Sequence, residues 1–505
     1  MLKAGTAFRA REFAEAESLY AEALRQAEAF GPADPRLAVS LNNLAELFHQ
    51  DGRYGDAEAL YKRSISVWKN ARTPDDPELA QVESNLGELY RQTGQYAAAE
   101  PLLQHALVVR EKTWSAKDPW VVKTAGMLGE LYRQEGRYAE AETLLKHSLE
   151  AAEKSFGPDS EPTAAPRSNL AELYRAMSRY REAEDLYARA VAAQEKALGP
   201  EHPDVAVTLN NLAELYRGEG KLSDAEPLYR RSLAIREKAF PPGDVRVATA
   251  LNNLGLLRES QGAFTDAELY FRRALEAREK ALGPSHPELA APLINLAELN
   301  LRQGRFADAE KLYRRALEVR EAAYGHEHPD VAASLGNLAQ LKEAQKKYSD
   351  AIELQQQALA IRAKVFGQEH PAVAASLQQL GELHFAKKDF AEAGKFYEQA
   401  LAIREKALGP VHRSVAQSLQ ALGDLYRVEG RYPDAEPLYA RALAIREKIL
   451  GKDHPDVAAV LESYALLLRA EGHPTKAEDL EARAKQIRAG GQATVASADA
   501  APPKS

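Results

Sequence analysis

Six histidines occupy equivalent positions in the sequence and are the first candidates for metal binding or catalysis. They are spaced by 42 residues or a multiple of 42: His202, His286, His328, His370, His412 and His454. If each lies in an equivalent turn of stacked helices, neighbours are about 10 Å apart. Metal ligands must lie about 2 Å from a shared ion. The spacing therefore predicts turn histidines and no metal site.

A row of asparagines follows the same period. The residue before a recurring leucine is Asn43, Asn85, Asn169, Asn211, Asn253, Asn295 or Asn337, and Asn42, Asn210 and Asn252 come one residue earlier. An amide carries both donors and an acceptor, so the row suits pairing with the backbone of an extended peptide. The alternative is that each asparagine hydrogen-bonds a neighbouring repeat and orders the stack.

Charged residues form a second row on the same helix. An acidic residue two positions after the leucine, glutamate in four copies and Asp424 in the last, precedes by three residues Arg91, Arg133, Arg175, Arg217 and Arg427. This spacing places each pair on one helix face. The row is either a set of solvated pairs or an arginine ladder able to grip acidic groups of a partner. Because Glu259, Leu301, Glu343 and Phe385 interrupt it, we predict that the binding stretch lies between Asn43 and Asn295.

These rows belong to an internal repeat of 42 residues. Stepping from Leu44 reaches a leucine in every copy up to Leu422, and a parallel alanine series from Ala57 ends at Ala477. Residues 203–218 carry apolar residues at helical spacing, which predicts a helix that we call helix A. Gly220 breaks the chain before a second helix, B, for which Ser223 and Glu226 have capping-box spacing.

Small residues mark where the two helices cross. Only alanine or glycine follows the recurring leucine, from Ala45 to Ala465. Such residues let two helices approach closely. A lone helix pair cannot cover its apolar face, so neighbouring pairs must stack. The sequence predicts an all-α solenoid of about 23 helices.

The run from Leu209 to Tyr216, with Gly220, Ala225-Glu226 and Leu233 to Lys238, resembles the tetratricopeptide repeat in its 42-residue kinesin-light-chain form. The resemblance covers residues 4–488. It implies a right-handed superhelix of antiparallel helix pairs whose A helices line a concave groove. In that family the groove captures extended peptide segments of partner proteins, and its asparagines occupy the matching place.

The two ends depart from the pattern. We expect a truncated first repeat at 1–34, ten full repeats at 35–454, a capping repeat at 455–489 and a disordered tail at 490–505. The first copy keeps only a stub of helix A, Ala4 to Phe8, which suggests an upstream start or a processed precursor.

Composition and motifs exclude several functions. The chain has no cysteine and a net charge of −8, which disfavours thiol chemistry and nucleic-acid binding. It has no apolar stretch near the roughly 20 residues that span a membrane, and no phosphate-loop, G-x-S-x-G or H-E-x-x-H motif. As written, the sequence predicts a cytoplasmic protein with no cofactor, and its alanine and arginine usage is typical of high-GC bacteria.

The sequence therefore predicts a non-enzymatic scaffold that holds a peptide segment of a protein partner in its groove. The predicted groove residues are Asn43, Asn85, Arg91, Arg133, Asn169, Arg175, Asn210, Asn211, Arg217, Asn252, Asn253 and Asn295. Two alternatives remain open. The chain is the regulatory or sensing region of a larger signalling or enzymatic system, or it is an exported adaptor whose signal peptide lies upstream.

Overall fold

The computed structural model describes residues 3–4, 13–114, 118–241 and 243–499. Within these ranges the chain forms 23 α-helices and no strand, which confirms the predicted all-α solenoid. The stub predicted at Ala4 to Phe8 lies outside the described residues except for Ala4, which is buried.

Helices A and B alternate along the chain. The first helix, α1, is a B helix at Phe13–Glu28. The A helices are α2 (Pro35–Gln50), α4 (Pro77–Gln92), α6 (Pro119–Gln134), α8 (Ala164–Ala176), α10 (Pro203–Gly218), α12 (Val245–Ser260), α14 (Ala290–Arg302), α16 (Pro329–Ala344), α18 (Pro371–Ala386), α20 (Arg413–Val428) and α22 (Pro455–Ala470). The remaining B helices are α3 (Tyr54–Ala71), α5 (Tyr96–Thr113), α7 (Tyr138–Phe156), α9 (Tyr180–Leu198), α11 (Leu222–Ala239), α13 (Phe264–Leu282), α15 (Phe306–Tyr324), α17 (Tyr348–Phe366), α19 (Phe390–Leu408), α21 (Tyr432–Leu450) and α23 (Pro474–Asp499).

Most A helices begin with a capping side chain and a proline. In α10, Pro203 takes the first helical position and His202 Nδ1 accepts a hydrogen bond from the backbone N–H of Asp204 at 3.2 Å. Aspartate does the same in other copies, as Asp34 does before α2. Proline has no N–H to leave unpaired at this position, which explains its recurrence. The helix predicted at 203–218 has those bounds in the structure.

The capping box predicted for helix B is wrong. Helix α11 already begins at Leu222, so Ser223 lies inside the first turn, and the capping residue Lys221 makes no side-chain cap. Glu226 instead accepts hydrogen bonds from Arg230 on its own helix and from Arg258 on α12. The Glu226 carboxylate, which the capping box would have used, therefore forms ion pairs instead.

The crossing of helices A and B leaves no space beyond a methyl group. A Cβ atom added to Gly255 on α12 would lie 2.5 Å from the ring of Phe271 on α13, and one added to Gly381 would lie 2.5 Å from the ring of Tyr397. The alanine series of the B helices, such as Ala57 and Ala225, is fully buried. The small residues thus set how closely each pair packs.

We expect Gly255→Val to destabilise the chain by roughly 1–3 kcal/mol, because the added methyl groups have no room against Phe271. The measurement is the urea midpoint followed by circular dichroism. Gly218→Val is the matched control, since Gly218 is exposed in α10 and a Cβ there meets nothing within 4 Å. Equal midpoints for the two variants would contradict the packing argument.

Arginines near the ends of several B helices connect one pair to the next. Arg236, near the end of α11, donates from Nη1 to the backbone carbonyl of Arg246 in α12 at 2.8 Å. Arg278, Arg404 and Arg446 make the same bond to a carbonyl ten residues later. Arg236 is thus a buried group that bridges two helices.

The A helices form the inner wall of the solenoid. Adjacent A helices contact each other along the chain, whereas adjacent B helices make at most isolated contacts. Helices on the inside of a curve lie closer together than those outside, so the concave surface is built from α2, α4 and the later A helices. The asparagine and glutamate–arginine rows are on these inner helices.

Successive turns of the superhelix touch. His328 Nε2 donates to the backbone carbonyl of Gln92, 236 residues earlier, at 2.7 Å. The same contact recurs for His286, His370, His412 and His454, with carbonyl oxygens at 2.5–3.3 Å. Each turn therefore contains just under six repeats, and we call these five histidines the latch histidines.

Rings and prolines pack around the latch histidines. Tyr324 stacks on His328 at 4.1 Å between ring centroids and on Tyr54 of the previous turn at 5.3 Å. Gly94, at φ +72°, approaches Pro329 so closely that an added Cβ would lie 2.7 Å from the proline ring. The turn histidines predicted from spacing are thus confirmed as turn residues, and their contact across turns was not foreseen.

We expect the double substitution His328→Asp and His370→Asp to separate the turns while keeping the helices. Aspartate caps equivalent A helices elsewhere, but its carboxylate cannot donate to Gln92 or Gln134. Small-angle X-ray scattering should show a larger radius of gyration with unchanged helicity. His202→Asp is the control, since the only side-chain hydrogen bond of His202 in the described chain is to its own helix. An unchanged radius would contradict the role of the latch.

Acid should open the same contacts. Burial is the main cause that lowers the pKa of His370 below the usual 6.5, and protonation would remove the Nδ1 acceptor that caps α18. The closed form is therefore fully favoured above about pH 6.5 and lost as pH falls through the lowered pKa. The charged groups facing the other latch histidines are Glu288, Asp51 and Arg278 (His286), Asp330 and Arg320 (His328), Arg404 and Arg413 (His412), and Asp456, Arg413 and Arg446 (His454).

The measurement is the radius of gyration from about pH 7.5 to about pH 5, which should rise in the unmodified chain. The double aspartate variant is already open, so its radius should change less. An equal rise in both would assign the effect to other groups.

The last helix extends beyond the predicted capping repeat. Helix α23 continues to Asp499, into the segment whose composition predicted a tail at 490–505, and residues 500–505 lie outside the described part. Among the described residues, no helix combines the length and the apolar character needed to cross a membrane.

Candidate functional site

The structure divides the asparagine row into two groups. Three asparagine pairs form between neighbouring repeats: Asn85 donates to Asn42 at 3.0 Å, Asn253 to Asn210 at 2.8 Å and Asn295 to Asn252 at 2.8 Å. All of these asparagines except Asn42 are predicted groove residues. These pairs correspond to the stack-ordering alternative.

Three predicted asparagines remain half-buried without such a partner. Asn43, Asn169 and Asn211 make no side-chain hydrogen bond to the described chain. The reason is local, because the residue 43 positions before Asn169 is Gly126 and the one before Asn211 is Ser168. These amides are free to bind a ligand.

The four predicted groove arginines are held by their own helices. Arg91 binds Glu88 through two bonds of 2.8 and 2.6 Å, and Arg133, Arg175 and Arg217 bind the preceding glutamate in the same way. Such bidentate geometry fixes the guanidinium orientation. The arginines are therefore oriented, partly exposed side chains.

A tyrosine from helix B completes each cluster in three copies. Tyr229 donates to Glu214 at 2.7 Å, Tyr187 to Glu172 at 3.2 Å, and Tyr439 to Asp424 at 2.7 Å. Burial acts to raise the pKa of Glu214, but hydrogen bonds from Arg217 and Tyr229 outweigh it and the pKa falls below 4.5. Glu214 is thus kept charged at the groove surface.

We expect Arg217→Leu to lower the stability by about 1 kcal/mol, because Glu214 loses its bidentate partner in a half-buried place. The urea midpoint measures this loss. Arg230→Leu removes a more exposed pair, with Glu226, and should change the midpoint by only a few tenths of that. A smaller effect at Arg217 than at Arg230 would show that the cluster adds nothing to stability.

A cavity between inner helices interrupts the asparagine row. It has a volume of 1040 Å³ and lies between α4, α6 and α8. Its apolar lining includes Trp114, Val122, Met127 and Phe156. Its polar lining includes Arg91, Lys123, Asn169 and the carboxylates of Glu88, Asp118, Glu130 and Glu161. We call it the apolar cavity.

Two residues that depart from the repeat pattern open this cavity. Gly126 and Met127 stand where other copies carry asparagine, and a Cβ added to Gly126 would lie 2.5 Å from Asn169 Nδ2. Phe156 at its edge is 42% exposed, a large fraction for an aromatic ring. In the sequence this feature is visible as the absence of asparagine at positions 126 and 127. The prediction of groove residues used the asparagines that are present and did not use this gap.

Two predicted groove residues, Arg91 and Asn169, line the apolar cavity, and Glu130 beside it holds Arg133. Asn43, Arg175 and Asn211 lie elsewhere on the A helices, in copies two, five and six. Among the described residues, no group of three histidine or carboxylate side chains is close enough to hold a metal ion.

Sequence comparison identifies the family. The family model described as tetratricopeptide repeat matches residues 1–70, 43–112, 120–196, 167–238, 246–322, 289–364, 331–406, 372–448 and 414–489. The chain therefore belongs to the tetratricopeptide repeat family, whose members are typically non-catalytic scaffolds for protein–protein interaction. No curated protein matches the chain.

Solved structures similar to the chain include kinesin-light-chain-like repeat proteins. BtubC (BKLC) from P. vanneervenii is 26% identical with a TM-score of 0.38, covering 48% of this chain and 93% of its own. A kinesin-light-chain-type protein of Podosopora anserina with nearly identical TPR-like repeats is 29% identical, with a TM-score of 0.35 and coverage of 41% and 98%. A Rap protein complexed with competence and sporulation factor is 16% identical, with a TM-score of 0.48 and coverage of 74% and 99%.

Proposed function

We propose that the chain binds an extended peptide segment of a partner protein along its A helices, with a large apolar side chain of that segment in the apolar cavity. The observation that carries the proposal is this cavity of 1040 Å³ on the inner surface, where the paired asparagines stop. It lies inside the stretch from Asn43 to Asn295 that the sequence predicted.

The chemistry of the cavity supports a peptide. Its apolar lining offers burial for a bulky side chain, which is the main source of affinity in small binding pockets. The free amide of Asn169 can both donate to and accept from a peptide backbone. Lys123 and Arg91 place cationic groups at the edge, and Lys123 makes no ion pair within 4 Å in the described chain.

The solenoid also supports binding at low entropic cost. Its inner helices are packed on both sides by neighbouring pairs, so the surface is formed before a ligand arrives. Asn169 and Asn211 lie in adjacent copies with free amides, which suits contact with an extended backbone. Arg133, Arg175 and Arg217 keep fixed positions beside them through their glutamates.

The latch contacts shape how a partner reaches this surface. The first and second superhelical turns touch at five places, from His286 with Gln50 to His454 with Glu219. We infer that a partner segment enters from an end of the superhelix or when the turns separate. An extended segment meets this requirement better than a folded domain does.

We expect the double substitution Gly126→Asn and Met127→Asn to abolish peptide binding. The amide introduced at position 126 would accept from Asn169 as Asn42 accepts from Asn85, which continues the paired row and fills the cavity. The measurement uses peptides selected on the full chain from a displayed random library, with affinity read by fluorescence polarisation. A loss of roughly tenfold or more is expected, since a buried anchor residue carries much of the binding energy.

Leu269→Asn is the control, because Leu269 is 57% exposed on the outer helix α13 and should not affect binding. Circular dichroism of each variant verifies the fold. Selected peptides that bind the double variant as tightly as the unmodified chain would place the site elsewhere, and a library that yields no binder would overturn the proposed function.

A further inference from the structure

The charged row of the inner surface has alternating signs in the first half of the chain. Arg91 binds Glu88 on its own helix, and its Nη1 lies 3.9 Å from Glu130 of the next copy. Arg133 and Arg175 likewise act on Glu172 and Glu214 of the following copies. Glu130, Glu172 and Glu214 therefore each face arginines from two helices.

The alternation fails in the second half. Glu343 occupies an arginine position on α16 and faces Glu382 of α18, while Phe385 occupies the arginine position on α18 itself. Burial, and then the charge of Glu382, raises the pKa of Glu343 above 4.5. The two carboxylates thus meet without an arginine at the row positions of α16 and α18, and the cation that acts on Glu382 is Arg404 of α19.

A cavity of 260 Å³ lies beside Glu382, and we call it the acidic pocket. Its wall includes the carboxylates of Glu382 and Asp424, the amides of Gln417 and Gln420, and the rings of Phe385 and Tyr397. Asp424 has Arg427 at 3.9 Å, and Arg404 on α19 is engaged by Ser418 and the carbonyl of Ser414. Carboxylates therefore outnumber free cations around the pocket.

Tyr397 gives independent evidence that this pocket lacks its partner. Its side chain is 3% exposed and lines the pocket, but its hydroxyl makes no hydrogen bond to the described chain. Among the equivalent tyrosines, Tyr187, Tyr229 and Tyr439 donate to a carboxylate, whereas the hydroxyls of Tyr61 and Tyr313 are enclosed without a partner. The Tyr397 hydroxyl differs from these two because it opens onto the pocket, so a ligand group there would give it a partner.

We propose that the acidic pocket binds the guanidinium group of an arginine side chain carried by the peptide segment. This inference rests on the proposed function, because it assigns a second anchor to the same bound segment. The two carboxylates and two amides offer acceptors to the five N–H donors of one planar group, and the Phe385 ring offers a stacking face. A metal ion fits less well, since no described cluster of three ligating side chains is close enough to share one.

The test compares peptides selected from the displayed library on the full chain and on the double variant Glu382→Gln and Asp424→Asn. Peptides selected on the unmodified chain should carry arginine at one fixed position. A synthetic peptide of this kind should lose roughly tenfold or more in affinity on the double variant, because both charges in a buried pair are needed. Replacing its arginine by citrulline, which has the same shape without charge, should cause a similar loss.

A double-mutant cycle makes the assignment specific. The citrulline peptide should bind the unmodified chain and the double variant with nearly equal affinity. Tyr397→Phe should weaken the arginine peptide more than the citrulline peptide. Glu398→Gln is the control, because Glu398 lies on the outer helix α19 and pairs with Tyr426.

The outcomes separate the two proposals. Two results would overturn the acidic pocket and leave the proposed function intact. In the first, peptides whose binding is lost on the Gly126→Asn and Met127→Asn variant carry no enriched arginine. In the second, these peptides bind the Glu382→Gln and Asp424→Asn variant with unchanged affinity. If lysine replaces the arginine of the peptide without loss of affinity, the assignment to a guanidinium group is overturned. If no peptide binds any form of the chain, both proposals fail.

Discussion

The structure depends on the contact between helices A and B at a residue no larger than alanine. At Gly255 and Gly381 an aromatic ring fills the place where a side chain would begin, so the two helices can pack in only one way. Repeating one fixed geometry along the chain gives a constant curvature. Constant curvature brings equivalent turns into register, and this is why the latch histidines meet backbone carbonyls 235 or 236 residues earlier.

The closure of the superhelix links local capping to overall shape. The imidazole of His328 caps its own helix through Nδ1 and contacts the previous turn through Nε2, so one neutral ring serves both purposes. Tyr324 stacks on that ring and on Tyr54 of the other turn. Protonation of the ring would remove the cap at Nδ1 and place a charge in the buried contact, while Nε2 would still donate to the carbonyl of Gln92.

Sequence periodicity predicted much of the fold and part of the site. It predicted the helix pairs, the bounds of α10 and the small crossing residues, since these follow from spacing within one repeat. It predicted Arg91 and Asn169 as inner-surface residues, and both line the apolar cavity. It gave no way to decide that Asn253 pairs with Asn210, because that choice depends on the distance between two helices in different repeats.

The amino-acid sequence by itself determined the all-α class, the register of the repeats and the places where the inner surface changes character, as at Gly126 and Glu343. These properties depend on residue type and on spacing along one helix or between neighbouring helices. The tertiary structure alone decided that residues 236 positions apart touch, that Glu226 pairs with Arg258 instead of capping its helix, and that Tyr397 lacks a partner. The physical reason is that small rotations between repeats add up over a whole turn, and only their sum fixes which distant groups meet.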